Sequence, residues 1–195
     1  MVNLVHQKMD IKKLGNSVLI FSINRLIEII GIFIVCSGIL LFTALLSYSP
    51  TDPNFIFPQN TEIKNFLGSR GSYLADFFIQ SAGLITFLIP ITIIFTGINI
   101  FKKKEIFILI ENIFFATIYI LIGSFFFSFY YKDSFTFYIN GNGGFVGNYL
   151  NETFLYNITK SNENIFFFFF FFFISLLFFV IIFFLFICFL FSFIY

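Results

Sequence analysis

Three carboxylates, Glu28, Asp76 and Glu111, sit in or beside long apolar runs of this 195-residue chain. An ionisable group within a membrane helix is by default a functional candidate, for example a proton relay. All three lie near the ends of their runs, where a carboxylate reaches the interface. Glu111 is the deepest, about 9 Å along a helix from Glu105, and the relay and interfacial readings both stay open for it. The single histidine, His6, sits in the polar head of the chain with no Cys or His neighbour, so no metal site is expected. Cys36 and Cys188 fall inside apolar runs and are expected to be buried thiols packing as small hydrophobes. No Ser-His-Asp set, Cys-His cluster or pair of carboxylates at catalytic spacing can be assembled. The residues therefore predict no catalytic group and no cofactor.

Asn140-Gly141-Asn142-Gly143-Gly144-Phe145-Val146-Gly147 is glycine-rich and invites comparison with a phosphate loop. A Walker A loop ends in Gly-Lys-Ser/Thr, so that a lysine reaches the phosphates. No such pair follows here. A dinucleotide fingerprint starting at Gly141 would need glycine where Val146 stands. The stretch reads instead as a turn before a short helix, about 145–156.

The elements that would position these residues are membrane spans. Hydrophobic residues make up 59% of the chain and charged ones 11%, with a mean hydropathy of +0.98. Soluble domains are about 45–50% apolar and about 25% charged, so the excess is too large for a core of this size. The 38 Phe and absence of Trp look like an A/T-rich codon bias, so single Phe residues are not read as anchors. A spanning helix needs about 20 mostly apolar residues. Four runs qualify: Leu26 to Tyr48, Leu74 to Phe101, Ile106 to Tyr130, and Ile165 to Tyr195, which carries no charge. Backbone groups in lipid must be satisfied internally, which favours helices. The expected fold is an all-α, four-helix transmembrane bundle. The first run exceeds a signal peptide's apolar core and lacks a small-x-small cleavage site, so it reads as an anchor that stays.

Lys8, Lys12, Lys13 and Arg25 precede the first span, and Lys102-Lys103-Lys104 follows the second. The links 49–73 and 131–164 hold lysines and an arginine matched or outweighed by acids. Positive charge near span ends marks the cytoplasmic side. Both termini are therefore expected inside, with residues 1–25 as a cytoplasmic segment and the two longer links outside. The basic residues of that segment also make a weak match to anionic headgroups. A net charge of +1 gives no sign of nucleic-acid binding.

Ser49-Pro50 and Asp52-Pro53 must stop the first helix, because a residue before proline is pushed out of the helical region. Asp52 is a candidate for an Asx-type turn. Ser69 or Ser72 is the expected cap of the second helix, with Asp76 in its first turn complementing the dipole. Pro90, mid-span, is the expected kink. Gly31, Gly38, Gly83 and Gly97 are candidates for close helix approach. Asn99 and Asn112 are either interhelical glue or interfacial. Asn151-Glu152-Thr153 and Asn157-Ile158-Thr159 are formal sequons that arise by chance in an Asn-rich chain.

Two stretches carry a more specific signal. Pro50-Thr51-Asp52-Pro53 closes the first span, and Asn65-x-x-Gly68-x-x-Gly71-Ser72-Tyr73-Leu74-Ala75-Asp76 leads into the second. Gly83 and Pro90 follow, lysines end the span, and Gly143-Gly144-x-x-Gly147 stands in the second outer link. In this order the chain resembles the N-terminal four-helix membrane domain of the FtsK/SpoIIIE DNA translocases, over about residues 20–165. The resemblance implies a bacterial inner-membrane protein of the division septum. It also implies a role in chromosome segregation, with other division-site membrane proteins and further copies of itself as partners. In that family a separate cytoplasmic motor pumps DNA using ATP, and this sequence shows no Walker motif and no basic DNA-reading module.

The leading expectation is thus a membrane-anchor and interaction domain that is not itself an enzyme and binds neither ATP nor DNA. A second reading is a small transporter or channel subunit with Glu111 and Asn112 on a polar path. A third is a truncated, non-functional product. The uninterrupted phenylalanines from Phe166 to Phe173 read like a homopolymer in the gene, where slippage would separate anchor from motor.

Overall fold

A computed structural model describes residues 2–53, 62–131 and 140–154. The expected fourth span at 165–195, the phenylalanine run, Cys188 and the second sequon lie outside the described residues. Those described are helical, with no strand among them.

Helix α1 runs unbroken over Val2–Leu46, through both the expected cytoplasmic segment and the expected first span. Nothing in the sequence stops it earlier, since the first proline of the chain is Pro50. Two closing backbone bonds, Ser47 N–H to Thr43 O at 3.2 Å and Tyr48 N–H to Leu45 O at 3.2 Å, end it just before that proline.

The second apolar run is not one helix. It consists of α2 (Gly68–Ala82), a 3₁₀ segment (Gly83–Phe87) and α3 (Leu88–Lys103). The break falls at Gly83, with φ 72° and ψ −145°, a conformation essentially restricted to glycine. Pro90 is not the kink. It occupies the first turn of α3, where its missing N–H has no intrahelical acceptor to lose. Lys104 closes α3 in the left-handed region (φ 58°) with its N–H on Ile100 O at 2.9 Å, and Lys102 and Lys103 suit the negative end of the helix dipole. Helix α4 covers Phe107–Tyr130. The short α5 covers Gly144–Tyr149 and continues into a π-helical turn, Leu150–Phe154.

Helices α1 and α3 pack antiparallel, and glycines bring them together. A Cβ on Gly31 would lie 2.9 Å from Gly97 O, and one on Gly97 would lie 2.7 Å from Gly31 O. Gly38 likewise receives Ile93 and Ile94. Toward its C-terminal end α1 contributes Leu41, Ala44 and Leu45 to a core cluster with Ala75 and Ile79 of α2. Helix α4 joins α3 through side chains: Asn112 Nδ2 donates to Thr96 Oγ1 at 2.8 Å, and the Thr92 and Tyr119 hydroxyls meet at 3.0 Å. The glue reading of Asn112 therefore holds.

Much of the remaining surface is apolar, with Phe33 75%, Phe107 72% and Phe114 62% exposed. Three helical stretches, Gly15–Leu46, Gly68–Lys103 (taken through its break) and Phe107–Phe129, are long and apolar enough to cross a membrane. Cys36 is exposed, not buried. The inward stripe of α1 runs through Ile27, Gly31, Gly38, Leu41 and Leu45, and position 36 falls on the opposite side of a 3.6-residue helix.

Candidate functional site

The candidate site is a polar seam at the end of the bundle where α1 stops. Pro50 is exposed and starts the turn, while Asp52 and Pro53 are buried. The Asp52 side chain bonds across the link. Its two carboxylate oxygens accept the N–H groups of Lys64 (3.0 Å) and Asn65 (2.9 Å), clamping the far end of the link. A backbone-mimicking turn forms at Asn65, whose Oδ1 accepts Leu67 N–H at 3.0 Å. Asn65 Nδ2 donates to Ala44 O at 2.8 Å and Ser47 O at 3.4 Å, satisfying carbonyls left open at the end of α1. Phe66 N–H reaches Ser47 Oγ at 3.1 Å.

The glycines of the motif serve this knot. Gly68 has φ 67°. A Cβ on Gly71 would lie 2.2 Å from Asn65 Oδ1. Neither Ser69 nor Ser72 caps α2: its N-cap is Leu67, without a side-chain bond, and Ser72 Oγ donates to Pro53 O at 2.8 Å. Leu74 is exposed and Ala75 is fully buried. Because α2 begins at Gly68, Asp76 lies beyond its first turn; it accepts from the Tyr48 hydroxyl at 3.0 Å rather than facing the helix N-terminus.

A chain of polar contacts continues from there across the bundle. Gln80 Nε2 lies 3.4 Å from the Tyr48 hydroxyl and 3.5 Å from Asp76 Oδ1. Asn140 meets Gln80 twice, N–H to Oε1 at 3.3 Å and Nδ2 to the backbone oxygen at 3.2 Å. Asn148 Nδ2 donates to Asn140 O at 2.7 Å, and Ser128 Oγ of α4 donates to Asn148 Oδ1 at 2.7 Å. Tyr48, Gln80, Ser124 and Ser128 are members of this polar seam that sequence reasoning missed. For the two serines, their spacing of one turn in a mostly apolar helix was the available signal.

The glycine-rich stretch plugs the break in the second run. Leu84 N–H donates to Asn142 O at 2.9 Å, and a Cβ on Gly83 would stand 1.9 Å from that same oxygen. Carbonyls around the break find donors: Phe78 O from Thr86, Gln80 O from Asn140, and Ala82 O from Ser124 at 2.9 Å. Such compensation is what lets a helix break persist in hydrocarbon. Gly143 and Gly147 let the stretch lie against Ser124 and Ser128, where any Cβ would clash at 2.2–2.5 Å. The expected turn before a short helix is what forms, and the phosphate-loop reading has no cradle left to offer.

At the opposite end Glu28 accepts from Arg25 Nη1, one turn earlier, and from Lys104 Nζ at 3.1 Å. Its carboxylate is thus an ion-pair clamp from α1 to the turn after α3. Glu111 is exposed. Among the described residues no group of three or more His, Cys, Asp or Glu could hold a metal ion. The arrangement fastens helices to each other.

Comparison with known proteins gives this geometry a context. A family profile described as the 4TM region of DNA translocase FtsK/SpoIIIE matches residues 24–193. Similar proteins named DNA translocase FtsK include that of Shewanella oneidensis, 34% identical over 95 residues, covering 47% of this chain and 10% of the relative. The Rickettsia bellii protein is 36% identical over 67 residues, 34% of this chain and 9% of the relative. That of Azospirillum brasilense is 31% identical over 88 residues, 44% and 14%. The chain therefore spans about a tenth of the length of these curated relatives. No solved structure matches it. With the profile covering nearly all of the sequence from the middle of α1 onward, the chain belongs to the family of the 4TM region of the FtsK/SpoIIIE DNA translocases.

Proposed function

We propose that this chain is the membrane anchor and interaction domain of a cell-division DNA translocase, holding it in the bacterial inner membrane at the septum. The observation that carries the reading is the family match over residues 24–193 on apolar helices fastened at both ends. Glu28 and Tyr48 mark those two ends on α1 and are about 30 Å apart along the helix, the thickness of the hydrocarbon layer. The Glu28 end, with Arg25 and Lys102 to Lys104, faces the cytoplasm by the positive-inside rule. The polar seam faces outward.

The role is positional. Helices held rigidly by Asp52, Asn65 and the 140–144 stretch present fixed surfaces to division-site membrane proteins and to other copies. Movement of DNA by ATP belongs to sequence beyond this region of the relatives, so neither ligand touches this domain. A transporter is less well supported, because Asn112 is already bonded to Thr96 and carbonyls beside the helix break accept from Thr86, Asn140 and Ser124.

The full chain fused to a fluorescent protein and expressed in dividing bacteria tests this. Enrichment at the septum is expected. Uniform fluorescence around the membrane would remove the septal role, and cytoplasmic fluorescence would remove the anchor.

A further inference from the structure

Helix α2 has its polarity inside out. It buries Gly71, Ser72, Ala75, Asp76, Ile79 and Ala82, mostly small or polar residues. It exposes Leu74 (49%) and Phe77 (56%), and Phe66, in the turn before it, is 82% exposed. A helix on a water-facing surface turns its apolar stripe to the core; this one turns large apolar side chains outward.

Its course also differs from that of a span. Asn65, just ahead of α2, bonds Ala44; Asp76 bonds Tyr48; Ile79 clusters with Leu41 and Leu45. Over that whole length α2 stays beside the last two turns of α1. Helix α3, by contrast, follows α1 downward, with Ile94 at Gly38 and Gly97 at Gly31. So α2 crosses the end of α1, and Gly83 turns the chain down. Length agrees: the 3₁₀ segment and α3 together reach about 34 Å, enough for a hydrocarbon core of about 30 Å. Gly68–Lys103 as one straight helix would be about 54 Å long.

We propose that α2 is an interfacial helix seated in the outer leaflet, with Phe66, Leu74 and Phe77 entering the boundary between headgroups and acyl chains, and that the second crossing begins at Gly83. Lipid is the partner because the patch continues the apolar surface of α1: Phe66 is pinned to Ser47, beside exposed Leu46 (62%). Lys64 and Arg70, both exposed, flank Phe66 where headgroup phosphates lie, the arrangement expected of an in-plane helix.

The inference rests on the membrane reading above, and one experiment separates the two. The chain contains no tryptophan, so Phe66→Trp, Leu74→Trp, Phe77→Trp and, on α4, Phe114→Trp each report a single depth. The variants are reconstituted in phosphatidylcholine vesicles carrying bromine either near the head or near the end of the acyl chain. Phe66→Trp, Leu74→Trp and Phe77→Trp should be quenched at least about twofold more by the shallow bromine than by the deep one, and Phe114→Trp the reverse. Deep quenching that grows from Phe66→Trp to Phe77→Trp, positions about 16 Å apart along a helix, would show a conventional span and overturn the proposal. Quenching of these three variants by aqueous iodide alone would overturn it too. If neither bromine quenched Phe114→Trp, the membrane reading itself would fall. These positions are exposed, and Leu74→Trp or Phe77→Trp alone discriminates if another variant fails to fold.

Discussion

Asp52 shows how much a single side chain organises here. It receives the backbone N–H groups of Lys64 and Asn65 and so fixes Asn65, whose amide then caps the end of α1. A buried donor left without an acceptor costs about 1–3 kcal/mol. Asp52→Ala should therefore destabilise the protein by about that much, and Asp52→Asn, which keeps one acceptor oxygen, by less. Thermal unfolding of the purified chain in detergent measures both; equal melting temperatures for Asp52→Ala and the parent would contradict the clamp. The sequence made Asp52 conspicuous through the prolines around it, but its partners lie 12 and 13 residues away. Closure of a long link is decided by which buried groups need satisfying. The same limit explains Asp76 and Ser72, which local rules assign to a helix N-terminus and which tertiary partners claim instead.

At the level of elements, apolar length marked the three stretches able to cross a membrane among the described residues, and glycine content foretold the close approach of α1 to α3. What length could not reveal was the break at Gly83, because a broken helix and a straight one have the same hydropathy. Proline looked the stronger breaker. Yet Pro90 sits in a first turn, where it is harmless, and the positive φ that ends α2 can be supplied only by glycine. Gly83→Ala combines a forbidden backbone angle with a Cβ 1.9 Å from Asn142 O, and the variant is expected to accumulate far below the parent level or not at all. Gly15 in α1 has nothing within 4 Å of a would-be Cβ, so Gly15→Ala should be tolerated and raise stability by up to about 1 kcal/mol. The pair distinguishes a required glycine from an incidental one by immunoblot and melting temperature.

For the molecule as a whole, the charge pattern yields an orientation that labelling can read. With Cys36→Ser and Cys188→Ser as background, Thr51→Cys should react with a membrane-impermeant maleimide in intact spheroplasts. Lys103→Cys should react only after lysis. The opposite pattern would invert the topology. The stretches Pro50 to Pro53 and Asn65 to Asp76 were legible as sequence motifs, and they lie in one knot where Asp52, Asn65 and Gly71 answer backbone constraints. The contacts of Tyr48, Gln80 and Ser128 were not, since they join segments far apart in sequence through ordinary polar groups.

The plug at Gly83 also imposes a schedule. Gln80 and Leu84 depend on Asn140 and Asn142, nearly sixty residues further along the chain. At synthesis rates of about 5–20 residues per second, the broken helix emerges several seconds before the groups that complete it. During that interval its open carbonyls must be held by water or by the insertion machinery. The first half of this domain is therefore finished by its second half, and insertion into the bilayer cannot proceed one independent helix at a time.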